Sequence, residues 1–118
     1  MEVLVISSQP DFLKEGLKTL VENGLVLHVY ISIREAEAAA EALSPDLVML
    51  DASTAGSSLP GACQTLYEAS RAPVIVFTEE ELSEVEAAAC FDAGAGARLL
   101  KRVSPPLLLA WVLALTRR

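Results

Sequence analysis

Pro45–Asp46–Leu47–Val48–Met49–Leu50–Asp51 is the stretch on which the fold turns. Asp46–Leu50 reads as an apolar strand closed by Asp51, and an unbroken apolar run of this length suits a strand covered on both faces. Working outward, Val3–Ile6 and Leu25–Tyr30 upstream and Pro73–Phe77 and Ala97–Leu100 downstream read as further strands. Helical patterns lie between them. Ser8 with Asp11 reads as the start of a first helix, carrying Leu13, Leu17, Leu20 and Val21 and stopped by Asn23–Gly24. Ser32 and Glu35 form a capping box before an Ala-rich helix that ends near Leu43–Ser44. Ala52–Ser58 is a loop of small residues, followed by a helix from about Leu59 to Ser70. Thr78 and Glu81 have capping-box spacing for a helix ending at Gly94, and Ser104–Pro105 caps a last helix to about Thr116. Strand and helix alternate five times, which predicts an α/β, doubly wound five-stranded parallel sheet with five helices in one domain, residues 1–118.

Composition narrows the function classes. The 118 residues are 53% hydrophobic but only 5% aromatic, so the core is built of Leu, Val, Ile and Ala. A net charge of −7 argues against direct contact with nucleic acid or an anionic membrane, because both are polyanions. The longest apolar run, Leu107–Leu115, is about half of the roughly 20 residues a membrane helix needs. Met1–Glu2–Val3 lacks the basic start of a secretion signal, so a cytoplasmic location is expected. Cys63 and Cys90 have no C-x-x-C spacing and only His28 to assist them, which leaves buried free thiols as the expectation rather than zinc or a disulfide.

Open parallel sheets carry their functional groups just beyond the carboxyl ends of the strands. Those ends hold Ser7 and Ser8, Asp51, Thr78 and Lys101. A carboxylate, hydroxyls and an ammonium in one crevice suit an anionic group, with the carboxylate as nucleophile and the others stabilising incoming charge. Each residue also has a plainer role. Thr78 and Ser8 suit helix caps, Lys101 a solvated strand end, and His28 a packed strand position. Gly94–Ala95–Gly96 follows a helix and precedes a strand, the reverse of a dinucleotide fingerprint, and reads as a helix stop.

Three segments resemble the response-regulator receiver domain of bacterial two-component signalling. Pro45–Asp51 is similar to the segment around that family's phosphoacceptor aspartate, Pro73–Thr78 to its fourth strand, and Ala93–Gly94–Ala95 through Lys101 and Ser104–Pro105 to its ending. The resemblance implies a flavodoxin-like (CheY-like) sheet of strand order 2-1-3-4-5. It also implies Asp51 as phosphoacceptor from a histidine kinase, with Thr78 and Lys101 contacting the phosphoryl group. The same resemblance exposes departures. Where the family has two acids that hold Mg²⁺, this chain has Ser7 and Ser8, so Mg²⁺ is expected to bind weakly or not at all. Glu79 stands where a small residue leaves room for the phosphoryl group, and Arg98 occupies the aromatic switch position.

The last helix is apolar on every face, so some of Leu108, Trp111, Val112 and Leu115 are expected to meet a partner protein or second domain. The resemblance implies a homodimer through the last two helices. The resulting expectation is a divergent receiver domain, not an enzyme, that signals through protein contacts with phosphorylation at Asp51 weakened or lost. A conventional Mg²⁺-dependent phospho-accepting receiver and a flavodoxin-like ligand-binding module are the alternatives.

Overall fold

A computed structural model describes residues 1–117. Five parallel strands, β1 (Glu2–Ile6), β2 (Val26–Tyr30), β3 (Leu47–Asp51), β4 (Val74–Thr78) and β5 (Ala95–Leu100), form one sheet in the order β2-β1-β3-β4-β5. The helices are α1 (Lys14–Glu22), α2 (Ile33–Leu43), α3 (Leu59–Ser70), α4 (Glu84–Asp92) and α5 (Pro105–Thr116). The fold class and helix number read from the sequence, and the strand order that the resemblance implies, match this architecture.

The apolar runs are continuous because successive side chains enter two different cores. Leu4, Ile6, Val48, Leu50, Val74 and Val76 face one core, on the side covered by α2, α3 and α4. Val3, Val5, Leu47, Met49, Ile75 and Phe77 face the other, closed by α1 and α5. Every residue of β3 and β4 is buried, whereas β2 lies at the sheet edge with Val26 and Val29 exposed. The helices α1 and α5 approach closely at Gly16, where a Cβ would stand 2.6 Å from Leu108 Cδ2.

Several local expectations are corrected. Ser8 and Asp11 do not cap α1. Its N-cap is Leu13, in the left-handed region at φ 47° with no side-chain cap, while the Ser8 N–H donates to Thr54 Oγ1 at 3.1 Å. Thr78 does not cap α4 either. It is the last residue of β4, paired in register with Leu100, and the cap is Ser83, whose hydroxyl accepts from Glu86 N–H at 3.2 Å. The expected caps at Ser32 and Ser104 are present. The loop after β3 contains a short 3₁₀ turn, Ala52–Thr54, and β5 begins at Ala95, two residues before the expected Ala97.

The expected partner face of α5 is also revised. Leu108 and Val112 are fully buried within the chain, because they form the stripe that packs on the β-sheet and α1. Leu115 is half-buried against the same core. Trp111 remains exposed, joined by Leu107 and Leu113. Cys63 and Cys90 are buried free thiols, as expected. Among the described residues no helix is long and apolar enough to cross a membrane.

Candidate functional site

β1, β3 and β4 are adjacent, so their carboxyl ends deliver Ser7, Asp51 and Thr78 to one end of the sheet. β5 supplies Lys101 from the residue following its end, held by a backbone hydrogen bond from Lys101 N–H to Thr78 O at 2.9 Å.

Asp51 is wholly buried, and both of its carboxylate oxygens are engaged. Oδ2 accepts from the Ser7 hydroxyl at 2.6 Å. Oδ1 accepts from Ser53 N–H at 3.0 Å, from the Ser53 hydroxyl at 2.7 Å, and from Lys101 Nζ at 2.7 Å. Burial alone would raise the Asp51 carboxyl, but the hydrogen bonds from Lys101, Ser7 and Ser53 outweigh it and hold the group below 3.8. Burial likewise pulls Lys101 down, and contact with Asp51, then Glu79, more than reverses this, leaving the ammonium above 10.5. The two groups therefore stand as an ion pair across the ordinary pH range. Lys101 Nζ also lies 6.0 Å from the centre of the Phe12 ring, which packs edge-on against Phe77.

The structure brings Ser7 and Lys101 each into direct contact with Asp51 and sets Thr78 at the neighbouring strand end. Thr78 is 5% exposed, and its hydroxyl is a buried side-chain polar atom with no hydrogen-bond partner among the described residues. Thr78 and Lys101 line a crevice of about 410 Å³ together with Ser53, Ser57 and two carboxylates, Glu79 and Glu86. Ser8 is not part of this cluster. It is exposed and turned to Thr54, with Oγ to Oγ1 at 3.4 Å. Arg98 pairs with Glu81 and takes no part in the hydrogen bonds of Asp51.

Two contributors escape a reading of strand ends. Ser53 donates twice to Asp51, and the spacing Asp51-x-Ser53 carries the signal of an aspartate that folds back on the backbone two residues on. Phe12 carries no polar group and gave no such signal.

The residues present do not suit Mg²⁺. A hard divalent cation calls for carboxylate oxygens, yet Ser7 offers Asp51 a hydroxyl hydrogen in the place expected for an acid. Among the described residues no group of three or more His, Cys, Asp or Glu side chains is placed to hold a metal ion.

With this geometry in place, likeness to solved structures decides the architecture. A two-component response regulator from Clostridium difficile superposes with a TM-score of 0.88 at 19% identity, over 100% of this chain and 97% of that one. The fold is that of a receiver domain. The beryllofluoride-activated N-terminal receiver domain of Klebsiella pneumoniae RstA gives 0.85 at 22% identity, over 100% of both chains. The beryllofluoride-activated receiver domain of NtrC4, solved as a dimer, gives 0.85 at 23% identity over 98% of this chain and 95% of that one. No family model matches the sequence, and no curated protein matches it. The receiver fold is thus shared at identities where few side chains are held in common, and the role of each residue rests on this chain's own geometry.

Proposed function

We propose that this chain is a divergent receiver domain of two-component signalling, acting in the cytoplasm through protein–protein contacts rather than as an enzyme, with phosphorylation at Asp51 weakened or lost. The carrying observation is the occupied carboxylate of Asp51. A carboxylate that attacks phosphorus needs a free oxygen lone pair and a route to it. Here Ser53 and Lys101 crowd Oδ1 with three contacts, the Ser7 hydroxyl lies across Oδ2, and the group is wholly buried, so the lone pair left on Oδ2 has no open route to phosphorus. Ser7 and Ser8 supply no charge to hold a metal beside it, which leaves Lys101 as the cation in contact with the site. Contact with a partner is supported by exposed apolar side chains on the last two helices: Val85 and Phe91 on α4, Leu107, Trp111 and Leu113 on α5. A homodimer through these helices is the assembly they suit. A histidine kinase is the donor for any residual transfer.

One observation favours the second reading, a conventional phospho-accepting receiver. Thr78 and Lys101 converge on one crevice with an unpartnered hydroxyl, an arrangement suited to phosphoryl oxygens. Incubation with acetyl phosphate and Mg²⁺, followed by intact-mass measurement, separates the two. The divergent reading expects no mass shift, or one of low occupancy, and no tightening of a dimer by beryllofluoride. Stoichiometric phosphorylation abolished by Asp51→Asn would overturn it in favour of the conventional receiver.

A further inference from the structure

The crevice beside Asp51 contains a second carboxylate in contact with Lys101, that of Glu79. Lys101 Nζ contacts Asp51 Oδ1 at 2.7 Å and, on its other side, Glu79 Oε1 at 3.4 Å. One lysine thus serves two carboxylates. They differ in setting: Asp51 is buried and held by four hydrogen-bonding contacts, whereas the Glu79 side chain is 76% exposed and reaches Lys101 at 3.4 Å. Thr78, immediately before Glu79, has a buried hydroxyl without a partner and lines the same crevice. A buried orphan donor beside a lysine is what a tetrahedral oxyanion would satisfy.

We propose that Glu79 is a tethered counter-anion of this crevice, engaging the lysine that an incoming oxyanion needs and so setting how readily such a ligand enters. The inference rests on reading the Thr78–Lys101 crevice as an oxyanion site. Entry requires the Glu79 carboxylate to leave Lys101, and the ligand then meets one cation already shared with Asp51. Neutralising Glu79 removes both the competitor and a repulsive charge while leaving Thr78, Lys101 and Asp51 in place. Since Glu79 is mostly exposed, the gain is that of a screened pair, about fivefold in affinity.

Inorganic phosphate is the probe, titrated at low ionic strength into the wild type, Glu79→Gln, Lys101→Met and the double variant. The Thr78 amide resonance is followed by NMR in all four proteins, and the Lys101 Nζ resonance in the two that retain the lysine. Glu79→Gln is expected to bind phosphate about fivefold more tightly than wild type, with the gain shrinking at high salt and absent in the double variant. If wild type and Glu79→Gln bind equally while Lys101→Met, with an amide spectrum that shows it folded, loses binding, the role of Glu79 is overturned and the oxyanion site stands. If neither protein shows Lys101-dependent binding, the proposal falls together with the site reading beneath it.

Discussion

At the scale of single residues, Asp51 and Lys101 depend on each other. The folded carboxyl lies below 3.8 and the folded ammonium above 10.5. Their stabilisation is therefore complete between those values, fades as pH falls through the folded Asp51 value, and fades as pH rises through the folded Lys101 value. Lys101→Met strands a buried carboxylate and is expected to cost about 3 kcal/mol near neutral pH. Urea denaturation should show that deficit shrinking as the pH is lowered and the stranded Asp51 carboxylate takes up its proton. A deficit unchanged in acid would contradict the pairing. Thr78 behaves in the opposite sense, because its buried hydroxyl has no partner to lose. Thr78→Val is expected to raise stability by about 1 kcal/mol, read from thermal unfolding, since it removes an unsatisfied group at nearly constant shape. Asp51, Thr78 and Lys101 were legible in the sequence because each ends a strand or follows one, and a parallel sheet gathers such positions. The role of Ser7 was only half legible. Its position at the end of β1 shows in the sequence, but its donation to Asp51 depends on β1 lying next to β3.

At the scale of elements, local signals settled what local contacts decide and failed where distant pairing prevailed. Thr78-x-x-Glu81 and Ser83-x-x-Glu86 both have capping-box spacing. The chain uses the second, because Thr78 is held in the ladder with β5, leaving the intervening residues to span to α4. The start of α1 is a similar case: the residues after β1 are drawn toward Thr54 and Asp51, so the helix begins later, at a strained Leu13. The helix α5 was legible in extent but not in facing. Apolar residues on all sides give little periodicity, so Leu108 and Val112 could not be told from their exposed neighbours. Alanine substitution makes the distinction measurable. Leu108→Ala is expected to cost about 2–5 kcal/mol in chemical denaturation, as a cavity opens between α5 and the sheet. Leu107→Ala should stay within about 0.5 kcal/mol in the isolated chain. Equal costs at the two positions would mean that α5 is rotated on its axis.

At the scale of the whole molecule, a charge of −7 opposes self-association, while the exposed side chains of α4 and α5 favour it. The two forces respond differently to salt: long-range repulsion between copies is screened, and apolar contact is not. Sedimentation velocity is therefore expected to show more dimer at about 0.5 M salt than at about 0.05 M, and Trp111→Glu should remove the dimer at both. Dissociation by salt would instead indicate an interface held by ion pairs. The architecture also contains its own timekeeper. Cys63 on α3 and Cys90 on α4 are buried, and burial together with the neighbouring Cys90 pushes the Cys63 thiol up to about 12. Burial raises Cys90 as well, against a contact from Cys63 that lowers it. Only a thiolate reacts readily with an alkylating reagent, so the closed form is nearly silent toward one. Each modification then marks a moment when the α3–α4 seam has parted, and the labelling rate at these native cysteines records how often that layer breathes.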